Sequence, residues 1–394
     1  MTALFTADQR ARLLELRRDL HRHPELSFEE ESTAARLFGE LARLNPAGLA
    51  RVAGTGVIAR LAGREPGGPT VAIRGDIDAL PIQEATGLEF SSERAGVMHA
   101  CGHDVHAAWT VGAAILLSRE PAVGDVLVLL QPGEETGRGA PRILESGTLE
   151  GVEAIFGGHV DRRFIVGEVV AQPGPLAAAA DTFSIELVGS GGHAARPHET
   201  RDPIGGLGTL IGTLQTIVPR RLEPGRPGVV SIGTVRSGTA SNVIPDAAIL
   251  TGTIRAFEPE TRALLHAEIR RTAEGVAAAH GLDARIEMET GPPPIVNPTE
   301  PVEWARAAVR KLLGEVGLVS MGSPNMGGED FAYYLERLPG AFLRIGAREP
   351  DGDVIPAHTP RFYAADPSIF VGAAVLAETA RIAARALDPD RREG

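Results

Sequence analysis

The stretch MHACGHDVHAA, residues 98–108, holds the only cysteine of the chain, with His103 two positions beyond Cys101 and His106 five beyond it. Side chains two residues apart point to nearly opposite sides of a helix. Cys101 and His103 therefore reach one centre only from a turn or extended segment, which Gly102 permits. Asp104 is then placed to cap the following helix. A thiolate with imidazoles and carboxylates makes a borderline ligand set, suited to zinc, manganese, cobalt or nickel and ill suited to calcium. Two other readings stand beside it: a small buried hydrophobe, or a nucleophile activated by His103 and oriented by Asp104.

QPGEETG supplies the second half of the chemistry. Glu134 and Glu135 are adjacent carboxylates that repel at one centre unless a cation sits beside them. One can ligate while its neighbour serves as general base towards a water whose pKa the ion lowers. The nucleophile reading leaves these two glutamates, His159 and His358 without work.

The elements that must position these residues are apolar runs. TVAIR leads into Gly75-Asp76-Ile77-Asp78, VLVLLQ into Pro132-Gly133-Glu134-Glu135, EAIFGG into His159, and AFLRIGA into a loop reaching His358. Ligands of open α/β sheets bind beyond the carboxyl ends of the strands, so the four runs predict one shared site. Strands are predicted at 70–76, 126–131 and 153–159, alternating with helical patterns that start with Thr6 to His21 and include VHAAWTVGAAILL. The fold class is α/β: a layered catalytic domain with a mostly parallel sheet covered by helices.

From Asp181 the pattern changes to alternating strands and two helices in the order β-α-β-β-α-β, a ferredoxin-like unit. It predicts a small domain at 181–293 inserted between 1–180 and 294–394, with GPPPIVNP as the linker back. Within the insert, GSGGHAARPHE lets His193 project from a strand end, or is a hairpin with an exposed histidine. Asn242 suits a turn, Arg255 an exposed strand position, and His266 and His280 a solvent-facing helix side. His21 and His23, at a helix end, read as structural, and His106 as outward-facing or supporting a ligand. MGGEDFAYY reads as a glycine turn leading into a helix whose amides can bind an anion.

The totals limit the partners. With 39 basic against 51 acidic residues and a net charge of -12, the chain lacks the positive field that nucleic-acid binding needs. One cysteine excludes an internal disulfide framework and suits a reducing compartment. The start lacks the apolar run of a signal peptide, and no run of eighteen apolar residues occurs, so a cytoplasmic protein with no membrane partner is expected.

The motifs RGDIDALPI, MHACGHDVHAA, QPGEETGRGA, GGHV, GGHAARPHE, SNVIPD, GGEDF and AHTP, in this order along nearly the whole chain, resemble the M20 metallopeptidase and amidohydrolase family. The resemblance is strongest to its branch of hippurate hydrolases, N-acyl-L-amino-acid amidohydrolases and auxin-conjugate hydrolases. It implies two divalent metal ions per chain, held by Cys101, His103, Glu135, His159 and His358 with the thiolate bridging. It implies Glu134 as general base and His193 as the oxyanion-stabilising lid histidine, with Asn242 and Arg255 contacting the substrate or its carboxylate. The insert becomes a lid and a homodimerisation domain, and the substrate a small N-acyl amino acid cleaved to a carboxylic acid and a free amino acid. Peptidase branches carry a histidine ligand where this chain has Asp76 and a bridging aspartate where it has Cys101. Asp78 is read as orienting a ligand from behind. Two rivals remain: a cysteine hydrolase using Cys101, and a metal-containing small-acid binding protein without turnover.

Overall fold

The computed structural model describes residues 1–388, and the chain divides into two compact units. The larger comprises Met1–Leu176, Val296–Ser323 and 330–388; the smaller comprises Ala177–Ile295 with Pro324–Glu329.

In the larger unit the strands are β1 (Gly48–Val52), β2 (Gly56–Leu61), β3 (Thr70–Asp76), β4 (Val126–Gln131), β5 (Val152–Ile165), β6 (Val169–Val170) and β7 (Gly340–Arg348). Among the described residues they form one seven-stranded sheet in the order β1-β2-β4-β3-β5-β7-β6. The central strands β4, β3, β5 and β7 run parallel, and antiparallel β1, β2 and β6 close the edges. Parallel strands are covered on both faces, which is why VLVLLQ in β4 has no exposed residue.

The helices that position the site are α1 (Ala7–Arg22), α2 (His103–Arg119), α3 (Thr299–Leu313) and α4 (Ser368–Leu387). Helix α1 starts at a capping box in which Thr6 and Gln9 satisfy each other's backbone amides. Helix α2 is buried from His103 to Leu117, so its pattern is apolar all round rather than one-sided. It lies close against α4: a Cβ on Gly112 would come within 2.8 Å of that of Ala373.

Asp104 does not cap α2. Gly102 occupies the N-cap at φ 91°, and the Asp104 carboxylate instead accepts from Arg17 Nε at 2.7 Å and His21 Nδ1 at 2.8 Å. His21 Nε2 faces Glu84 Oε1 at 3.2 Å, so a carboxylate stands at each ring nitrogen. Burial opposes charge on His21, but Asp104 and Glu84 together outweigh it and the pKa is raised. Burial likewise pushes Glu84 up, yet hydrogen bonds from His21, Thr86 and the Ser92 amide bring it down to about 2.

A depressed carboxyl stabilises the fold above its unfolded pKa and loses that contribution as pH falls through the folded one. We therefore expect stability that depends on Glu84 at pH 5 to disappear between about pH 4.5 and pH 2. Urea midpoints of wild type and Glu84→Gln should converge across that window; a constant gap would refute the assignment. The raised His21 acts oppositely, contributing below its unfolded pKa and fading as pH rises through the folded value.

The smaller unit carries strands Ala179–Val188, Gly228–Ser237, Ala247–Ala256 and Asp283–Glu289, with helices Pro203–Leu214 and Pro259–Ala279 between them. The antiparallel sheet takes the order 228–237, 247–256, 179–188, 283–289, the ferredoxin-like arrangement. Residues along Ala179–Val188 alternate between buried and more open, as a sheet with one covered face requires. His266 is not solvent-facing: its Nε2 lies 2.6 Å from buried Asp181, which also pairs with Arg262. His280 Nε2 meets Thr209 Oγ1 at 3.0 Å. GPPPIVNP is not wholly irregular, since Ile295–Asn297 forms a short strand. Among the described residues no helix is long and apolar enough to cross a membrane.

Candidate metal centre

The carboxyl ends of β3 and β4, the middle of β5, the turn before α2 and the loop after β7 bring their side chains together; β5 does not end at His159 as expected but runs on to Ile165, because β7 keeps pairing with it past that point. Cys101 Sγ lies 3.2 Å from His159 Nε2. The ligand atoms of Cys101, His103 and His159 lie within 4.8 Å of one another, as do those of Cys101, Glu135 and His358. The thiol is common to both triads. His103, Glu134 and Glu135 form a further group of the same kind, so Glu134 flanks the cluster rather than standing apart.

Local backbone makes this possible. With Gly102 left-handed, Cys101 and His103 leave the turn on one side; a Cβ on Gly102 would meet Val160 Cγ2 at 2.5 Å. Gly133, at φ 66°, ends β4 in the same way and turns Glu134 and Glu135 inward. His358 itself has φ 63°, rare for a residue with a side chain, and its N–H donates to the Ala100 carbonyl at 2.8 Å.

Hydrogen bonds set the histidine tautomers and so decide which nitrogens carry free lone pairs. His103 Nδ1 donates to the Asp78 carbonyl at 2.9 Å and faces Asp78 Oδ1 at 3.1 Å, leaving buried Nε2 without a partner. His159 Nδ1 donates to the Val160 carbonyl at 2.6 Å, leaving Nε2 towards the thiol. His106 differs: Nδ1 binds Asp76 Oδ1 at 2.5 Å and Nε2 accepts the Val160 N–H at 2.9 Å. Both its nitrogens are spent. It is fully buried and stacks on Trp109 at 4.4 Å, so it does not face outward.

The surroundings push these groups in different directions. Hydrogen bonds with Cys101 and Glu135 push His358 up to about 10. Burial, then Glu135, pushes the Cys101 thiol above its ordinary value. Burial, then the charge of Arg344, keeps His159 neutral and therefore able to ligate. Glu135 Oε1 is buried without a partner. Lone pairs on His103 and Glu135 thus converge, a donor set that fits divalent ions and that a bound cation would relieve.

Asp78 is tied on both oxygens, Oδ1 to His103 and Oδ2 to the Ser27 hydroxyl at 2.7 Å and the Glu135 N–H at 3.0 Å. Asp76, fully buried, pairs with Arg74 and His106, and His103 Nε2 comes no nearer to it than 3.7 Å.

Sequence reading missed the support around Glu134. Arg74, fully buried in β3, pairs with Asp76 and with Asp330 at 2.8 Å and donates to Gln131 at 2.9 Å. Asp330 also accepts from Gln131 and from the Ala140 amide, and its own N–H donates to Glu134 Oε1 at 3.3 Å. The anion met by the GGEDF turn is therefore this carboxylate, and the helix after it spans only Ala332–Leu335. An arginine inside an otherwise apolar strand was the available signal. His99 was missed too: it is buried, both ring nitrogens lack partners among the described residues, and burial pushes it down to about 4.

In the smaller unit, His193 and Asn242 share a two-stranded ribbon, where Gly192–His193 pairs with Val243–Ile244 and the Ala194 N–H donates to the Asn242 carbonyl. His193 is exposed; its Nδ1 accepts the Ala195 N–H at 3.1 Å, which leaves Nε2–H as a donor. Arg255, on Ala247–Ala256, is half-buried and makes no hydrogen bond among the described residues.

The model of peptidase family M20/M25/M40 matches residues 72–382. N-acetylcysteine deacetylase of Bacillus subtilis (strain 168) is 42% identical over 375 residues, covering 94% of this chain and 96% of its own. IAA-amino acid hydrolase ILR1-like 2 of Arabidopsis thaliana is 37% identical over 374 residues, covering 93% of this chain and 84% of its own. Among solved structures, the Bacillus subtilis YXEP protein, a dinuclear metal binding peptidase from the M20 family, aligns at a TM-score of 0.83 and 38% identity. That alignment covers 96% of this chain and 99% of the other. The chain belongs to peptidase family M20/M25/M40.

Proposed function

We propose that this protein is a metal-dependent amidohydrolase that cleaves N-acyl amino acids to a carboxylic acid and a free amino acid. The observation that carries the reading is the shared Cys101 thiol, common to two triads of ligand atoms, with Glu134 beside them. The names of the relatives, a deacetylase of N-acetylcysteine and a hydrolase of IAA-amino acids, agree in substrate type: an amino acid acylated on nitrogen.

Zinc or manganese ions, with cobalt or nickel as alternatives, held by Cys101, His103, Glu135, His159 and His358, would polarise the amide carbonyl and acidify water. Glu134 takes the proton from the attacking water, whose oxygen bonds to the acyl carbon. As the C–N bond breaks, Glu134 returns that proton to the leaving nitrogen. The Nε2–H of His193 donates to the developing oxyanion. Asn242 and Arg255 contact the substrate or its carboxylate. Asp78 fixes the ring of His103.

In domain terms we read 1–180 and 294–394 as the catalytic domain and 181–293 as a lid through which two copies pair. Ile204, Val235 and Ile249 are exposed on that unit, and Gly228–Ser237 is an edge strand, both of which favour a partner there. A reducing cytoplasm suits the single thiol.

The test is chelation followed by an activity panel of N-acetyl, N-benzoyl and indole-acetyl amino acids. Stripped protein should lose turnover and regain it on adding zinc or manganese, and Cys101→Ser should bind less metal by elemental analysis. Activity indifferent to chelator but abolished by alkylation would install Cys101 as a nucleophile. Binding without turnover across the panel would leave a small-acid binding protein.

A further inference from the structure

The larger unit saturates its buried arginines with acceptors, with one exception. Arg17 pairs with Asp104 and Asp366, Arg74 with Asp76 and Asp330, Arg162 with Glu349 and three backbone carbonyls, and Arg381 with Glu378 and two carbonyls. Arg344 is only 5% exposed, yet its guanidinium has no carboxylate, carbonyl or hydroxyl partner among the described residues, and Nε is buried without an acceptor. The Phe342 ring lies 5.8 Å from the guanidinium carbon and offers no lone pair in the guanidinium plane. Buried charge without a counter-charge is costly, and a guanidinium left in this state matches an anion that arrives from outside the chain.

The position of Arg344 narrows which anion. In β7 it stands opposite His159 of parallel β5, and opposite Val170 of β6. Paired residues of adjacent strands project to the same face of a sheet, and strands lie about 4.8 Å apart. The Arg344 side chain therefore leaves the sheet on the same face as the imidazole that meets the Cys101 thiol, from a backbone position about one strand spacing away. An anion paired with it would stand on the face of the sheet that carries His159. The planar fork of arginine matches the two oxygens of a carboxylate.

We propose that Arg344 is a carboxylate receptor of the larger unit, pairing with a substrate carboxylate that stands a few bonds from the scissile carbonyl. This rests on the amidohydrolase reading. Such a carboxylate has two sources: the α-carboxylate of the amino acid, or the terminal carboxylate of a short dicarboxylic acyl group. In either case Arg344 discriminates between substrates and takes no part in proton transfer.

The experiment compares wild type, Arg344→Met and Arg344→Lys on two substrate pairs. One pair is an N-acetyl amino acid and its α-carboxamide; the other is a succinyl and a butyryl derivative of the same amino acid. Arg344→Met should raise KM about 10- to 100-fold for the carboxylate-bearing member of one pair and leave its neutral partner unchanged. Arg344→Lys should recover part of the loss, and the affected pair identifies the source. Unchanged acid-to-neutral ratios in both pairs would overturn the proposal. So would finding that Arg255→Met alone moves them. Turnover of the neutral partners reports that the variants fold. If wild type turns over nothing, the hydrolase reading fails separately, and calorimetric titration with the same acids and neutral analogues still decides whether Arg344 holds a carboxylate.

Discussion

Glu134→Gln should retain metal at the wild-type level and lose about 10²- to 10⁴-fold in kcat, the usual contribution of a positioned general base. The side chain is 8% exposed and its Oε1 accepts the Asp330 N–H at 3.3 Å. An amide oxygen can keep that hydrogen bond, so glutamine fits the same space without a group able to take a proton. His103 Nε2 lies 3.9 Å from Glu134 Oε2 and 3.8 Å from Glu135 Oε1, so the ligand cluster keeps a carboxylate in Glu135 when Glu134 is neutralised. The checks are elemental analysis of the purified variant and steady-state kinetics on an N-acetyl amino acid. Near-normal turnover would mean that the base lies elsewhere. Loss of metal together with activity would recast Glu134 as a ligand.

Replacing Asp104 by alanine should cost stability rather than chemistry. Although burial pushes its carboxyl up, Arg17 and His21 hold it far below the ordinary range, and Asp104 and Arg17 are each 1% exposed. Removing one partner strands the other charge in the interior, a loss of about 3–5 kcal/mol. Urea unfolding of metal-free protein is the right measurement, because bound ions would add their own stabilisation. Arg17→Met in the Asp104→Ala background should recover part of the loss, since a neutral side chain of similar length has no charge to strand. A loss below about 1 kcal/mol would mean that Asp366, 3.0 Å from Arg17 Nη1, suffices as the counter-ion.

The support around Glu134 couples the two halves of the larger unit. Asp330 lies far along the chain from Arg74 and Gln131, yet the three share one buried set of hydrogen bonds. A partly satisfied network of this kind costs more than an apolar core, so every member must be present together.

Residue type, spacing and apolar patterning were enough to mark Thr70–Asp76 and Val126–Gln131 as strands ending at reactive side chains, and to separate an alternating β-α-β-β-α-β segment from a layered α/β one. They were enough because periodicity and the chemistry of thiols, imidazoles and carboxylates are local properties of the chain. The directions of hydrogen bonds were decided only in the folded molecule. His103 and His106 are three residues apart on one helix; one has a buried lone pair free for a ligand, while both nitrogens of the other are committed to Asp76 and Val160. Asp104, read as a cap, is the counter-ion of Arg17, and only the fold shows that buried Arg344 has no acceptor among the described residues. Partners distant in sequence settle these roles, because burial and pairing depend on which strands and helices pack together.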